Sequence, residues 1–164
     1  MKTVILFRHG NAENTDYETC DFDRNLTNRG KDDSLMMAQE LRKRNTIPQF
    51  IIHSGANRAA QTAEIIRAEL NVEHPCRIIP WLYTSYTTSE LIEVINTMNK
   101  ELDCILIVGH NPSITDSAIR LCRDFRVSFP TAGNITIAFE GNSWMNVEPS
   151  KGNLVAFDYP KRQK

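Results

Sequence analysis

The sequence predicts a three-layer α/β/α sandwich on a mainly parallel sheet with an antiparallel edge. Two observations lead there. Short, nearly continuous apolar runs alternate about four times with longer segments at helical spacing, the pattern of parallel strands covered on both faces. The last third of the chain then changes to strand-like runs separated by turn residues, which suits antiparallel strands at an edge.

The elements follow in order. Residues 3–7 form the first apolar run, and residues 50–53 and 104–108 share its character. Residues 31–45 place Leu35, Ala38 and Leu41 at helical spacing; residues 59–70 align Ala59, Ala63, Ile66 and Leu70. Residues 89–101 carry Leu91, Ile92, Ile95 and Met98 in the same way. After the strand at 104–108, Asn111 is expected to cap a helix, with Pro112 at its first position, where a missing N–H costs nothing. Residues 134–139 and 144–147 flank Gly141-Asn142, a hairpin signal, and residues 154–159 predict one more strand. The tail at 160–164 reads as a solvated end.

Composition bounds the function without naming it. With 164 residues, 41% of them hydrophobic and 24% charged, the chain is long and apolar enough for one globular domain spanning residues 1–164. Lys and Arg total 19 against 20 Asp and Glu, a net charge of -1. That balance offers no electrostatic basis for a nucleic-acid or membrane-surface partner. No stretch approaches the roughly 18 apolar residues of a membrane span. The run at 4–7 is too short for a signal segment, and Arg8 ends it. Cys20, Cys76, Cys104 and Cys122 show no C-x-x-C pair, so reduced thiols in a cytoplasmic protein are expected. The oligomeric state is left open.

In an open parallel sheet, ligands bind beyond the carboxyl ends of the strands. Arg8-His9-Gly10 follows the first strand, Ser54 and Arg58 follow the second, and Gly109-His110-Asn111-Pro112 follows the run at 104–108. Three loops thus bring two arginines and two histidines to one rim. Each alone is ordinary: a polar loop at Arg8-His9-Gly10 with Gly10 in a tight turn, a solvated helix arginine, a hydrogen-bonded loop histidine. Together they suit a phosphoryl group. Arginine matches phosphate oxygens in pairs and stays charged, while a neutral histidine can attack phosphorus. Metal binding fits poorly, since no H-x-H or H-x-x-x-H occurs and Arg8 abuts His9. His53 reads as a strand-end residue and His74 as an exposed loop residue.

These residues resemble a known family. Leu6-Phe7-Arg8-His9-Gly10 resembles the R-H-G signature of the histidine phosphatase superfamily, which includes phosphoglycerate mutases. Arg58-Ala59-Ala60-Gln61-Thr62-Ala63 resembles its R-A-x-Q-T-A helix start, and Val108-Gly109-His110-Asn111 its second histidine motif. Within the superfamily the sequence is most similar to SixA-type phosphohistidine phosphatases, through the R-H-G-x-A pattern at 8–12 and Arg24-Asn25-Leu26-Thr27-Asn28-Arg29-Gly30. The resemblance extends over residues 3 to 139. It implies a phosphoglycerate mutase-like sandwich and catalysis without metal or cofactor. It also implies His9 as the nucleophile, Arg8 and Arg58 as phosphoryl-binding arginines and His110 as the second histidine. Arg24 is a further phosphate-side arginine by the same resemblance, or a solvated residue ahead of a Thr27 helix cap.

The sequence departs from the family's pattern twice. Ser54-Gly55-Ala56-Asn57 stands where the family usually has S-P. Leu82-Tyr83-Thr84 stands where larger members carry a general-acid glutamate in L-x-E, and Glu90, a helix N-terminal residue, is a weak substitute. A departing alkoxide needs a proton, whereas imidazole leaving from phosphohistidine needs much less help. Only about 20 residues separate Leu82 from Leu102, leaving no room for a lid-like insertion. The expected activity is hydrolysis of phosphohistidine on a protein, such as a histidine phosphotransfer domain of a signalling relay. A small-molecule phosphomonoesterase or mutase, and a non-catalytic phosphate-binding module, are the alternatives.

Overall fold

Every residue from Val4 to Phe7 is fully buried, for a geometric reason. Side chains alternate across a strand, so a strand covered on both faces needs apolar residues at every position. In β1 (Lys2–Arg8), Val4 and Leu6 enter the core on one face and Ile5 and Phe7 the core on the other. β4 (Cys104–Gly109) repeats this, with Ile105 and Ile107 opposite Leu106 and Val108. Each such side chain contributes about 1.5–3 kcal/mol when fully buried. The computed structural model describes residues 1–160.

The sheet has six strands in the order β3-β2-β4-β1-β5-β6. β2 (Phe50–His53), β3 (Arg77–Ile78), β4 and β1 are parallel; β5 (Asn134–Phe139) runs antiparallel to β1, and β6 (Asn153–Asp158) antiparallel to β5. α1 (Asn28–Lys43) and α2 (Asn57–Leu70) cover one face through Met37, Leu41, Ala63 and Ile66. α3 (Thr88–Asn96) and α4 (Ser113–Leu121) cover the other through Leu91, Ile95, Ile114 and Leu121. The sandwich expected from the pattern is therefore the one formed, its antiparallel edge included.

Several local expectations need correction. No strand forms at 144–147. Trp144–Asn146 is a short 3-10 helix, because Trp144 is buried against α3 and its indole N–H donates to the Asn99 carbonyl at 3.0 Å. The third amphipathic helix stops at Asn96 rather than 101. The carbonyls beyond it serve tertiary donors instead: Lys100 and Leu102 each receive the buried Lys2 ammonium at 2.7 Å. Asn111 does not cap α4. Pro112 holds the N-cap position, and the Asn111 side chain turns to Thr115 and to the Phe129 carbonyl. Pro160 is buried rather than solvated, and 161–164 lie outside the described residues.

Candidate active site

Strand register places the two histidines side by side. Arg8 pairs with Gly109 across β1 and β4, so the next residue of each strand leaves the sheet at the same rim. The His9 and His110 ring centroids are 5.0 Å apart, and the His9 amide donates to the Gly109 carbonyl at 3.2 Å. β2 lies on the other side of β4, with His53 opposite Val108. That offset brings Ser54 within 2.7 Å of His110 Nε2.

His9 is fixed as a nucleophile would be. Its Nδ1 faces the Gly10 carbonyl at 2.7 Å, which selects the Nδ1–H tautomer and leaves the lone pair on Nε2. Arg58 Nε–H points at that Nε2 from 3.3 Å. Burial, then nearby His110, Arg58 and Arg8, push the His9 pKa down to about 3, against one opposing contribution from the Gly10 bond. Burial and Arg58 first lower His110 to about 4. Both rings are therefore neutral near pH 7.

The loop after β1 is held by close backbone packing. A Cβ on Gly10 would stand 2.6 Å from the Gly30 carbonyl oxygen, and one on Gly30 would stand 2.0 Å from that of Asn11. Gly10 is therefore required by the approach of α1, not by a tight turn with positive φ. Its amide donates to Thr62 Oγ1 at 3.0 Å, tying the loop to α2.

The arginines divide by position. Arg8 donates Nη1–H to the Phe129 carbonyl at 2.8 Å, and its buried Nε has no protein partner. His110 Nδ1 is likewise buried without a partner. Two unused polar atoms thus lie in the site, where phosphoryl oxygens would satisfy them. Arg58 is buried, and its far end donates to the Asp21 carbonyl at 2.7 Å and to Asp21 Oδ2 at 3.0 Å. Arg24 does not reach His9 through any hydrogen bond; it donates to the Glu13 carbonyl and to Asp21 Oδ1 at 2.9 Å. Thr27 caps α1, accepting the Gly30 amide at 3.0 Å.

Two residues that sequence reasoning missed complete the cluster. The Tyr83 hydroxyl donates to Asp21 Oδ2, and the Tyr83 ring meets His110 edge-on at 5.6 Å. Asp21 thereby takes donors from Tyr83, Arg24 and Arg58, which hold its carboxyl well below the usual range. Tyr83 could have been suspected, since it stands in the Leu82-Tyr83-Thr84 departure; nothing marks Asp21 among the acidic residues of its loop. Glu90 belongs to a capping box with Thr87 at the start of α3. His53 accepts the Gly55 amide at 3.0 Å, and His74 is exposed. Among the described residues no cluster of histidine, cysteine or carboxylate side chains is arranged to hold a metal ion.

The family model described as histidine phosphatase superfamily, branch 1, matches residues 4–105. The chain belongs to the histidine phosphatase superfamily. A Mycobacterium tuberculosis relative described as uncharacterized protein Rv1276c is 30% identical over 151 residues, covering 86% of this chain and 92% of its own. An uncharacterized chloroplastic protein of Arabidopsis thaliana is 26% identical over 151 residues, 87% of this chain and 69% of its own. The fold matches that of the protein histidine phosphatase SixA complexed with tungstate, with a TM-score of 0.84, 22% identity and 99% of each chain covered. It also matches the mycobacterial glucosyl-3-phosphoglycerate phosphatase Rv2419c, with a TM-score of 0.72, 13% identity and 97% and 100% coverage. The fold of this histidine phosphatase superfamily member is thus a phosphoglycerate mutase-like sandwich, the fold it shares with SixA. His110 lies beyond the matched segment; the register of β1 and β4 is what brings it to His9.

Proposed function

We propose that this protein is a phosphohistidine phosphatase that works through a phosphoryl intermediate on His9. Membership of the superfamily supports a phosphatase, and the observation that carries the reading is the poise of His9. Its Nε2 carries the lone pair and faces the Arg58 Nε–H, its Nδ1–H is anchored on Gly10, and burial keeps it neutral. Nε2 attacks phosphorus while Arg8, Arg58 and His110 Nδ1–H receive the equatorial oxygens. Water then attacks the phosphorylated His9, and the electron pair of the N–P bond returns to Nε2. Its two protons remain on the product as dihydrogen phosphate.

Two features favour phosphohistidine over an alcohol ester. Among the described residues, the carboxyl group at the site is that of Asp21, which its donors hold ionised, so it has no proton to give an alkoxide. Imidazole departs as a neutral base and needs no such donor. The likeness to SixA, whose name is that of a protein histidine phosphatase, points the same way. A phosphorylated protein, such as a histidine phosphotransfer domain, is the substrate this reading assigns. Four unpaired thiols accord with a reducing compartment such as the cytoplasm.

Steady-state rates on a histidine-phosphorylated protein, phosphoglycerate and sugar phosphates test the substrate class. The expected result is a kcat/KM for the phosphoprotein at least about a hundredfold above the others; a preference for the monoesters overturns it. A brief pulse of labelled substrate should leave an acid-labile, base-stable label on the protein that His9→Ala abolishes. If His9→Ala turns over normally, His9 is not the nucleophile.

A further inference from the structure

The arginine that serves the attacking nitrogen also reaches a carboxylate. Arg58 spans the distance between them, with Nε 3.3 Å from His9 Nε2 and Nη2 3.0 Å from Asp21 Oδ2. A phosphoryl group lying along this guanidinium has His9 behind it and its leaving group on the outward side, because displacement at phosphorus is in line. We propose that Asp21 is the specificity-determining residue for the leaving group, its carboxylate accepting the N–H of a departing imidazole. This rests on the phosphohistidine reading above and adds to it the residue that selects that substrate.

The bonding capacity of Asp21 supports the assignment. An ionised carboxylate offers about four acceptor positions. Oδ2 takes Arg58 and the Tyr83 hydroxyl, while Oδ1 takes Arg24 alone. One position on Oδ1 is therefore left, and 44% of the Asp21 side chain is exposed. Tyr83 sets the carboxylate in place from one side and packs its ring on His110 on the other.

The chemistry then distinguishes two substrate classes. A phosphoimidazolium carries a proton on the nitrogen away from phosphorus. A carboxylate that accepts this N–H favours the protonated form, in which the P–N bond is weakest. As His9 Nε2 bonds to phosphorus, the old P–N electron pair returns to the leaving nitrogen, and a neutral imidazole departs with its proton still on the far nitrogen. A phosphomonoester has no N–H to offer. Its departing oxygen gathers negative charge, which a held carboxylate opposes.

The test compares two substrates in one set of variants. kcat/KM is measured for free phosphohistidine and for phenyl phosphate with the full chain, Asp21→Asn and Tyr83→Phe, with thermal unfolding as the fold control. In Asp21→Asn the ratio of phosphohistidine to phenyl phosphate should fall by about tenfold to a hundredfold, the effect of a charged hydrogen bond on a reacting group. Tyr83→Phe keeps the ring but removes one of the three side chains that hold the carboxylate, and should move the ratio the same way by less. If Asp21→Asn does not fold, Tyr83→Phe alone decides. Rates that fall together on both substrates overturn the proposal by making Asp21 a support for Arg58. Rates that rise together overturn it by making Asp21 a competitor of phosphate. The parent reading fails separately, if the unaltered protein does not hydrolyse phosphohistidine.

Discussion

The Ser54 hydroxyl lies 2.7 Å from His110 Nε2 and also accepts the Ala56 amide at 3.3 Å. The hydroxyl keeps one proton to give; when it donates that proton to Nε2, a neutral His110 carries its own proton on Nδ1. Nδ1 is the buried atom without a protein partner. His110 can therefore donate to a phosphoryl oxygen without being charged, which agrees with its lowered pKa. The S-G-A-N departure from the family's S-P keeps the one group this needs.

Ser54→Ala should lower kcat by about tenfold to a hundredfold, the usual cost of losing an outer hydrogen bond that orients a reacting group. KM should change much less. Ser54→Thr keeps the hydroxyl and should retain most of the rate. Equal rates for Ser54→Ala and the unaltered protein would show that the tautomer is set elsewhere.

Arg58 and Arg24 should separate by at least about one order of magnitude. Arg58 is buried and bonded to His9 Nε2, so Arg58→Ala removes a donor from the reacting centre and should reduce kcat/KM by about a hundredfold to a thousandfold. Arg24 reaches Asp21 and a backbone carbonyl, and Arg24→Ala should lower kcat/KM by no more than about tenfold. Comparable losses on steady-state assay would mean that Arg24 touches the phosphoryl group when substrate binds.

The readable and unreadable parts of this molecule divide by range of interaction. Residues 4–7 announce a strand covered on both faces, because burial on both sides leaves no polar position. The R-H-G and G-H motifs are legible for a related reason: both end apolar strands, and parallel neighbours end at the same rim. The hairpin at Gly141-Asn142 was misleading. Gly141 does take a positive φ, but the residues after it answer to Trp144, whose burial and bond to Asn99 override local strand preference. Asp21 was illegible because its partners, Arg58 and Tyr83, lie 37 and 62 residues away. Nothing in a loop containing Asp16, Asp21 and Asp23 separates one carboxylate from the next.

The histidines link pH to stability. Their folded pKa values, about 3 for His9 and about 4 for His110, lie below the ordinary 6.5. Above pH 6.5 both states hold these rings neutral and the pair leaves stability unchanged with pH. As pH falls below 6.5 the unfolded chain takes up protons that the native site refuses, so stability is lost, by up to about 1.4 kcal/mol per pH unit per group. The loss levels off once pH passes below the folded values. Chemical denaturation at pH 7 and pH 5 should show a smaller drop for His9→Ala than for the unaltered protein. Imidazole NMR should find both rings still neutral at pH 5.5; a charged His9 at that pH would contradict the assignment.

Gly30 tests whether the loop that carries His9 depends on the approach of α1. A Cβ there would stand 2.0 Å from the Asn11 carbonyl oxygen, a backbone atom that cannot swing aside. The Thr27 amide also donates to that carbonyl at 3.0 Å, so moving it breaks a bond that seats the start of α1. Overpacking of this kind costs about 1–3 kcal/mol. Gly30→Ala should therefore lower the melting temperature by several degrees, about 2–4 °C for each kcal/mol in a chain of this size. It should also lower kcat below the melting point, because Asn11 lies two residues from His9 and the displaced loop carries the Gly10 carbonyl that holds Nδ1. Asn28→Ala, on the exposed first residue of the same helix, should leave both nearly unchanged. A Gly30→Ala protein with native melting temperature and native kcat would show that the two backbones are not in the contact described.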